Sequence, residues 1–178
     1  MIESSRIPTL PRKQGRALAS NLTVTNQIHR AGHWSAAHAR VTLTYDARFL
    51  RRKVLTTAQG ERFLVDLPHT TSLNHGDAFE LTDGRLIEVI AAAEDLLEIT
   101  GDDLTRLAWH IGNRHTPCQI EATRLVIQRD HVIRDMLRQI GAVAREITEP
   151  FVPEGGAYGH GRTHGHDHSA THGHDHAQ

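Results

Sequence analysis

From Asn21 onward apolar and polar residues alternate: Leu22 and Val24 against Thr23 and Thr25, then Val41, Leu43 and Tyr45 against Thr42 and Thr44. A period of two marks a strand with one buried face, so two strands are expected, with a loop over residues 29–40 between them. Val54-Leu55, the Gln59-Gly60 turn and Phe63-Leu64-Val65-Asp66-Leu67 predict a hairpin. Its second strand is expected to close at Pro68, because proline cannot donate to a ladder. Phe79 and Leu81, then Asp83-Gly84, then Leu86, Ile87, Val89 and Ile90 predict another hairpin. An Asp-Gly pair between apolar runs is a strong short-range signal for one. Residues 20–93 are therefore expected to form a small all-β domain, preceded over residues 1–19 by a loose arm that holds Pro8, Pro11 and Gly15 without periodicity.

The period changes after Ala93. Leu96-Leu97-Glu98-Ile99 predicts a strand, and Thr100-Gly101-Asp102 a turn with a helix N-cap. Leu104, Leu107, Ala108 and Ile111 recur at helical spacing, and Gly112 with Pro117 beyond it predicts the stop, since glycine accepts the left-handed conformation. Strands are expected over residues 118–122 and 125–128. Asp130 can cap a second helix with Ile133, Met136, Leu137 and Ile140 on one face, ended by Gly141, and residues 143–147 can make a last strand. The resulting order over residues 94–150 is βαββαβ, the split pattern of a ferredoxin-like domain. The expected class is α+β: a small β domain, a ferredoxin-like domain, and a disordered His-rich tail over residues 151–178.

That tail comes from composition. Thr-His-Gly-His-Asp-His occurs twice, at residues 163–168 and 171–176, and seven of the fifteen histidines lie between His160 and His176. So few apolar residues cannot bury a core. The tail carries −2 with its imidazoles neutral and +5 with all seven protonated. Free imidazole titrates near about 6.5, so at neutral pH the segment is largely in its metal-binding form. The whole chain of 178 residues holds 20 basic and 21 acidic side chains, which offers no broad basic field for nucleic acid. Its longest apolar run covers residues 89–93, far short of the roughly 20 that a membrane span needs. A cytoplasmic protein with no membrane partner is expected. The single cysteine, Cys118, excludes a disulfide framework and thiolate metal cages.

The strongest chemical signal is the set His164, His166, His168, His172, His174 and His176, which alternate with Gly, Asp and other short residues and could wrap around one ion. Imidazole suits nickel, copper, zinc and iron, and the tail alone selects none of them. The plain alternatives are an expression tag or a solvated polar segment, although a tag is more often an unbroken His run. His115 stands just past the first helix; alone it is a poor chelator and reads as structural, but near a two-fold axis one His per chain supplies two facing ligands. His131 opens the second helix, where the dipole favours neutral imidazole, yet such a residue is more often a surface histidine. His29, His33, His38, His69, His75 and His110 read as structural or exposed. Cys118 is expected on an apolar strand face with Ile120 and Ala122, opposite Gln119 and Glu121. No Walker loop, Gly-x-Ser-x-Gly or His-Glu-x-x-His is present, so no enzyme is expected.

Several pieces in order carry a resemblance: Arg51-Arg52, Asp66-Leu67-Pro68, Leu73 with Gly76-Asp77, and Glu94 with Leu96-Leu97-Glu98-Ile99. They continue with His110-Ile-Gly-Asn-Arg-His115, Asp130-His131-Val132 with Met136-Leu137, and Pro150-Phe-Val-Pro-Glu-Gly-Gly-Ala-Tyr158. From about Val41 onward the chain resembles the UreE family of urease accessory proteins, homodimeric nickel metallochaperones. The resemblance implies a peptide-binding-like β domain before the ferredoxin-like one, and His115 as the Ni(II) ligand shared between subunits. It also implies delivery to the urease apoprotein activation complex and its accessory GTPase. Some members carry a further His two residues before the one matching His131; Arg129 stands there in this chain. Two alternatives remain: a Zn(II) or Cu(II) buffer of the same fold, since either ion could bind in vitro, or a peptide-binding chaperone with an incidental tail.

Overall fold

The computed structural model describes residues 22–155. Within them lie two sheets and two short helices, a mixed α+β architecture dominated by strands. The first sheet holds β1 (Thr23–His29), β2 (Ala39–Leu43), β3 (Phe49–Thr56), β4 (Arg62–Ser72), β5 (Ala78–Leu81) and β6 (Leu86–Ala91), in the order β2-β6-β5-β1-β4-β3. Alternation does what the pattern predicted. In β2, Ala39, Val41 and Leu43 are buried while Arg40 and Thr42 are exposed, and in β6 Ile87, Val89 and Ala91 point inward. Phe63 and Phe79 meet edge to face at 5.7 Å in the middle of this core. The Asp83-Gly84 turn joins β5 to β6 with Gly84 at φ +83°, a conformation that glycine adopts without a Cβ clash.

Two features differ from the sequence expectation. β1 pairs with β4, and β2 with β6, in parallel, so the sheet is not assembled from hairpins alone. And β4 does not end at Pro68 but runs on to Ser72. Arg52 lies opposite Asp66 and Leu50 opposite Thr71, so the β3–β4 ladder skips several residues of β4 around the proline. Its missing donor is absorbed at that irregularity instead of ending the strand.

The second sheet holds β7 (Ala93–Thr100), β8 (Cys118–Ile120), β9 (Leu125–Gln128) and β10 (Val143–Pro150), all antiparallel in the order β10-β7-β9-β8. Helix α1 (Leu104–Gly112) links β7 to β8, and α2 (His131–Gln139) links β9 to β10. This is the connectivity of a split βαβ unit. Leu97, Ile99, Leu125 and Ile127 pack with Leu107 and Ile111 of α1 and Leu137 of α2. Asp130 caps α2 as expected, accepting from the Ile133 amide at 2.9 Å. For α1 the cap is Asp103 and not Asp102: its Oδ1 accepts from the Arg106 amide at 2.9 Å. Ile120, expected on a covered face, is 51% exposed, because it ends a three-residue edge strand.

The other face of the second sheet is covered in part by residues from elsewhere. Leu96 and Val126 form a small third core with Phe151, Tyr45 and Ile147. Tyr45, just after β2, meets the Phe151 ring edge-on at 5.4 Å, and its amide donates to Glu94 Oε1. Arg48 is buried, with its guanidinium 5.6 Å from the Tyr45 ring centre and Nη2 donating to the Phe151 carbonyl. Phe151, which composition puts at the head of the tail, is fully buried between the two sheets.

Candidate metal centre

The register of the second sheet brings the functional candidates to one end. Cys118 at the start of β8 stands opposite Ile127 near the end of β9. His115, three residues before Cys118, and His131, four residues after Ile127, therefore both lie beyond the same end of the sheet.

His115 follows α1 in a tight exit. The amides of Asn113, Arg114 and His115 donate to the carbonyls of Trp109 (2.9 Å), Ile111 (3.1 Å) and Gly112 (2.9 Å), and Arg114 Nη1 caps the His110 carbonyl at 2.9 Å. The expected glycine stop does not occur: Gly112 is the last helical residue and has no positive φ, whereas His115 takes the left-handed conformation at φ 56°. The winding of the exit past Gly112 postpones the reversal by three residues and so hands it to the histidine. The His115 side chain is exposed. On the same end of α1, Trp109 is 63% exposed and stacks edge-on against His110 at 5.0 Å.

His131 is exposed at the first turn of α2. Its neighbourhood is less suited to a cation. Arg129, two residues before it, lies 3.3 Å from Glu146 and 3.8 Å from Asp95, so that position holds an ion-paired guanidinium and not a ligand. His164, His166, His168, His172, His174 and His176 lie outside the described residues. Cys118 is half-buried, and burial, followed by the charge of Glu154, pushes its thiol up to about 11. At neutral pH it is a thiol, which leaves it a small apolar residue beside the candidate site.

The remaining histidines are separately engaged or dispersed. His29 Nε2 lies 2.6 Å from Glu80 Oε2, and His75 Nδ1 accepts the Ala91 amide at 3.2 Å. His38 stands 3.9 Å from Glu61. Among the described residues no three His, Cys, Asp or Glu side chains form a group able to hold a metal ion. A centre built on His115 therefore needs donors from a second chain or from beyond residue 155.

Sequence reasoning missed how the chain after β10 is held. The Val152 amide donates to Gln119 Oε1 at 2.8 Å, and the Glu154 amide to the Cys118 carbonyl at 2.9 Å. Having left the β10 edge, the chain thus reaches the β8 edge three residues from His115. The one signal for this in the sequence is Phe151, a large apolar residue in an otherwise polar, proline-flanked stretch.

Among the described residues no helix is long and apolar enough to cross a membrane. Comparison with known proteins converges on one family. The model described as "UreE urease accessory protein, N-terminal domain" matches residues 22–92, and that described as "UreE urease accessory protein, C-terminal domain" matches residues 94–177. A urease accessory protein UreE of Ruegeria pomeroyi is 75% identical over 146 residues, 82% of this chain and 98% of the relative. Proteins of the same name from a Ruegeria species (64% identical, 79% of this chain and 80% of the relative) and Cereibacter sphaeroides (60% identical, 83% and 81%) are also similar. The chain belongs to the UreE family of urease accessory proteins.

Proposed function

We propose that this chain is a cytoplasmic nickel metallochaperone that delivers Ni(II) for assembly of the urease active site. Its β domain spans residues 20–93 and its ferredoxin-like metal-binding domain residues 94–150; residues 1–19, expected as an arm, and the histidines expected in the tail lie outside the described residues. The observation that carries the reading is the exposed His115, held at φ 56°, beside a chain end pinned three residues away by the Glu154–Cys118 bond. A left-handed residue that carries an imidazole in an open loop supports a role in chemistry over one in packing.

In a homodimer whose axis passes near the α1 exit, two copies of His115 would face one another, and the exposed Trp109 supplies apolar area for the contact. The histidines at 164, 166, 168, 172, 174 and 176 complete the coordination or gather further ions, with His131 a subsidiary ligand. An all-imidazole set binds by neutral nitrogen, which permits release by stepwise ligand exchange to the urease activation complex and its accessory GTPase. Nickel as cargo is supported by the family, in which the named role is urease maturation. A zinc or copper buffer is the alternative that metal competition separates. The exposed edge strand β3, with Arg51, Arg52 and Lys53, favours a peptide-binding role for the first sheet as a second reading.

Nickel titration of the full chain beside one truncated after Tyr158, each followed by light scattering, tests the reading. The expected result is a dimer in both, with fewer ions bound per dimer after truncation. A monomer at micromolar concentration with and without nickel would overturn it.

A further inference from the structure

The second sheet ends in β10, an edge strand of eight residues, and among the described residues only β7 makes backbone-to-backbone bonds with it. Which groups face outward follows from its neighbours. The Arg129 amide donates to the Asp95 carbonyl at 3.3 Å from the β9 side, so Asp95 turns its backbone groups away from β10. Thr148, opposite Asp95, then turns its own away from β7, and Ala144, Glu146 and Pro150 follow by alternation. Two observations agree. Pro150, with no N–H to give, takes an outward position, and the Ala144 carbonyl accepts from Arg138 Nη2 at 3.4 Å. Arg145, Ile147 and Glu149 alternate with these and share the face that carries no helix, opposite Glu98, Leu96 and Glu94. Their side chains remain available: Arg145 is 70% exposed and Glu149 42%, while Ile147 packs at the margin of the small third core.

We propose that the β10 edge pairs antiparallel with β10 of a second copy about a two-fold axis through Ile147. In that register Arg145 meets Glu149 of the second copy, Ile147 meets its own equivalent, and Glu146 meets Thr148. Like faces stay together only if the axis passes through a residue. Moved to Glu146, it sets that carboxylate against itself; moved to Thr148, it sets Ile147 against Glu149 and Arg145 against the buried Phe151. Of these registers only the one through Ile147 joins opposite charges, and it does so twice.

The backbone fits the same register. Glu146 and Thr148 exchange bonds with their counterparts, and the Ala144 amide reaches the Pro150 carbonyl of the second copy, about six bonds in all. The donor that Pro150 lacks is not missed, because the Ala144 carbonyl already has Arg138. Arg145, Ile147 and Glu149 fall at the non-hydrogen-bonded positions, where facing side chains are closest. A bare edge pairs with any strand, and self-complementary charge narrows the choice to another copy of this chain. With one apolar pair at its centre the contact is weak and acts where copies are concentrated. It lies at the opposite edge of the sheet from β8 and the His115 loop, and it needs no metal, so it stands apart from the nickel reading.

Sedimentation of the metal-free full-length chain at rising concentration tests this, with charge-swapped variants. Arg145→Glu sets like charges at both ends of the register, as does Glu149→Arg, and the double variant restores opposite charges. Within the chain the swaps disturb Glu98 and Arg124, and the double variant keeps both disturbances, so its recovery reads the contact between copies. The expected result is an association step between about 0.1 and 1 mM in the parent, at least about tenfold weaker in each single variant and within about threefold of the parent in the double. Ile147→Cys, made with Cys118→Ala, reads the register: oxidation should link two copies through it, and Thr148→Cys in the same background should stay unlinked, being too far from its equivalent for a disulfide. If a swapped chain does not fold, the cysteine pair decides. No association of the parent up to about 1 mM would overturn the proposal. So would single swaps without effect, a double variant as weak as the singles, or equal cross-linking at residues 147 and 148.

Discussion

The two helices of the second sheet are built alike and left differently. Each has nine residues, each is capped by an aspartate that accepts the amide three residues on, and each places apolar residues on the same face of the sheet. Helix α2 ends economically: Gly141 takes φ +96°, its amide donates to the Arg138 carbonyl, and the Ala142 amide donates to that of Leu137. This is the bonding of a Schellman motif, in which glycine supplies the reversal. Helix α1 has a glycine at hand in Gly112 but leaves it helical and assigns the left-handed residue to His115. A side chain there costs about 1–2 kcal/mol relative to glycine. The two exits thus use different residues for the same reversal, glycine in one and histidine in the other, and on the proposed metal role of His115 the difference can be tested at both ends.

The largest expected difference is in metal binding. In a chain truncated after Tyr158, His115→Ala should weaken the tightest nickel site at least about 100-fold, equivalent to roughly 2.7 kcal/mol. His131→Ala should weaken it by less than about tenfold, because Arg129 beside it is committed to Glu146 and Asp95. Calorimetric titration at pH 7.5 measures both. Protons compete with nickel for imidazole nitrogen, so binding by the parent should weaken from pH 7.5 to pH 5.5. Equal losses in the two variants would erase the functional distinction between the helix ends.

Stability should separate the glycines next. Gly141→Ala forces a Cβ into the left-handed region and should cost about 1–2 kcal/mol, read as a lower thermal midpoint of the metal-free protein. Gly112→Ala should do the opposite, gaining about 0.5 kcal/mol, since the residue is helical and a Cβ there meets no atom within 4 Å. His115→Gly should gain up to about 1 kcal/mol in the metal-free protein while losing the metal site. A variant that is more stable and does not bind nickel would show directly that the strain is retained for function.

Much of this was legible in the sequence. Alternation located the strands, and the Asp83-Gly84 pair fixed one hairpin because its chemistry is local. Helical spacing and Asp130 placed α2 nearly to the residue. The parallel pairings of β1 with β4 and β2 with β6 were not legible, since they join segments far apart and leave no local mark. Nor was the course of β4 through Pro68, which depends on a bulge that β3 makes room for. At the site, the Gly-Asn-Arg-His motif pointed to His115 but not to its conformation: turn bonds past Gly112 moved the reversal, and several turn geometries satisfy the same residues. The pinning of residues 152–154 was hidden because it uses a backbone carbonyl of Cys118, which every strand displays, and one glutamine side chain, which no local pattern marks.

The smallest expected effect concerns the polar half of the sheet face that carries neither helix. Arg124, in the turn between β8 and β9, lies 2.9 Å from Glu98, 2.7 Å from Glu121 and 2.8 Å from Glu149. Its guanidinium hydrogen bonds are the main reason that the Glu98 and Glu121 carboxyls sit below their usual range. A carboxyl lowered in the folded state contributes stability above the unfolded-state value, near about 4.3 for Glu, and loses it as pH falls through the lower folded value. Arg124→Met removes the largest cause of both shifts, leaving Arg145 beside Glu98 and Gln119 beside Glu121, so its cost is present at neutral pH and fades in acid, where the parent too has protonated. Partly exposed ion pairs contribute little, so the neutral-pH loss should stay near or below about 1 kcal/mol. Urea unfolding of the metal-free protein at pH 7 and pH 3 measures it. The expected gap between variant and parent narrows at pH 3. A gap of the same size at both values would mean that Arg124 acts through packing alone, and that the acid sensitivity of this sheet arises elsewhere.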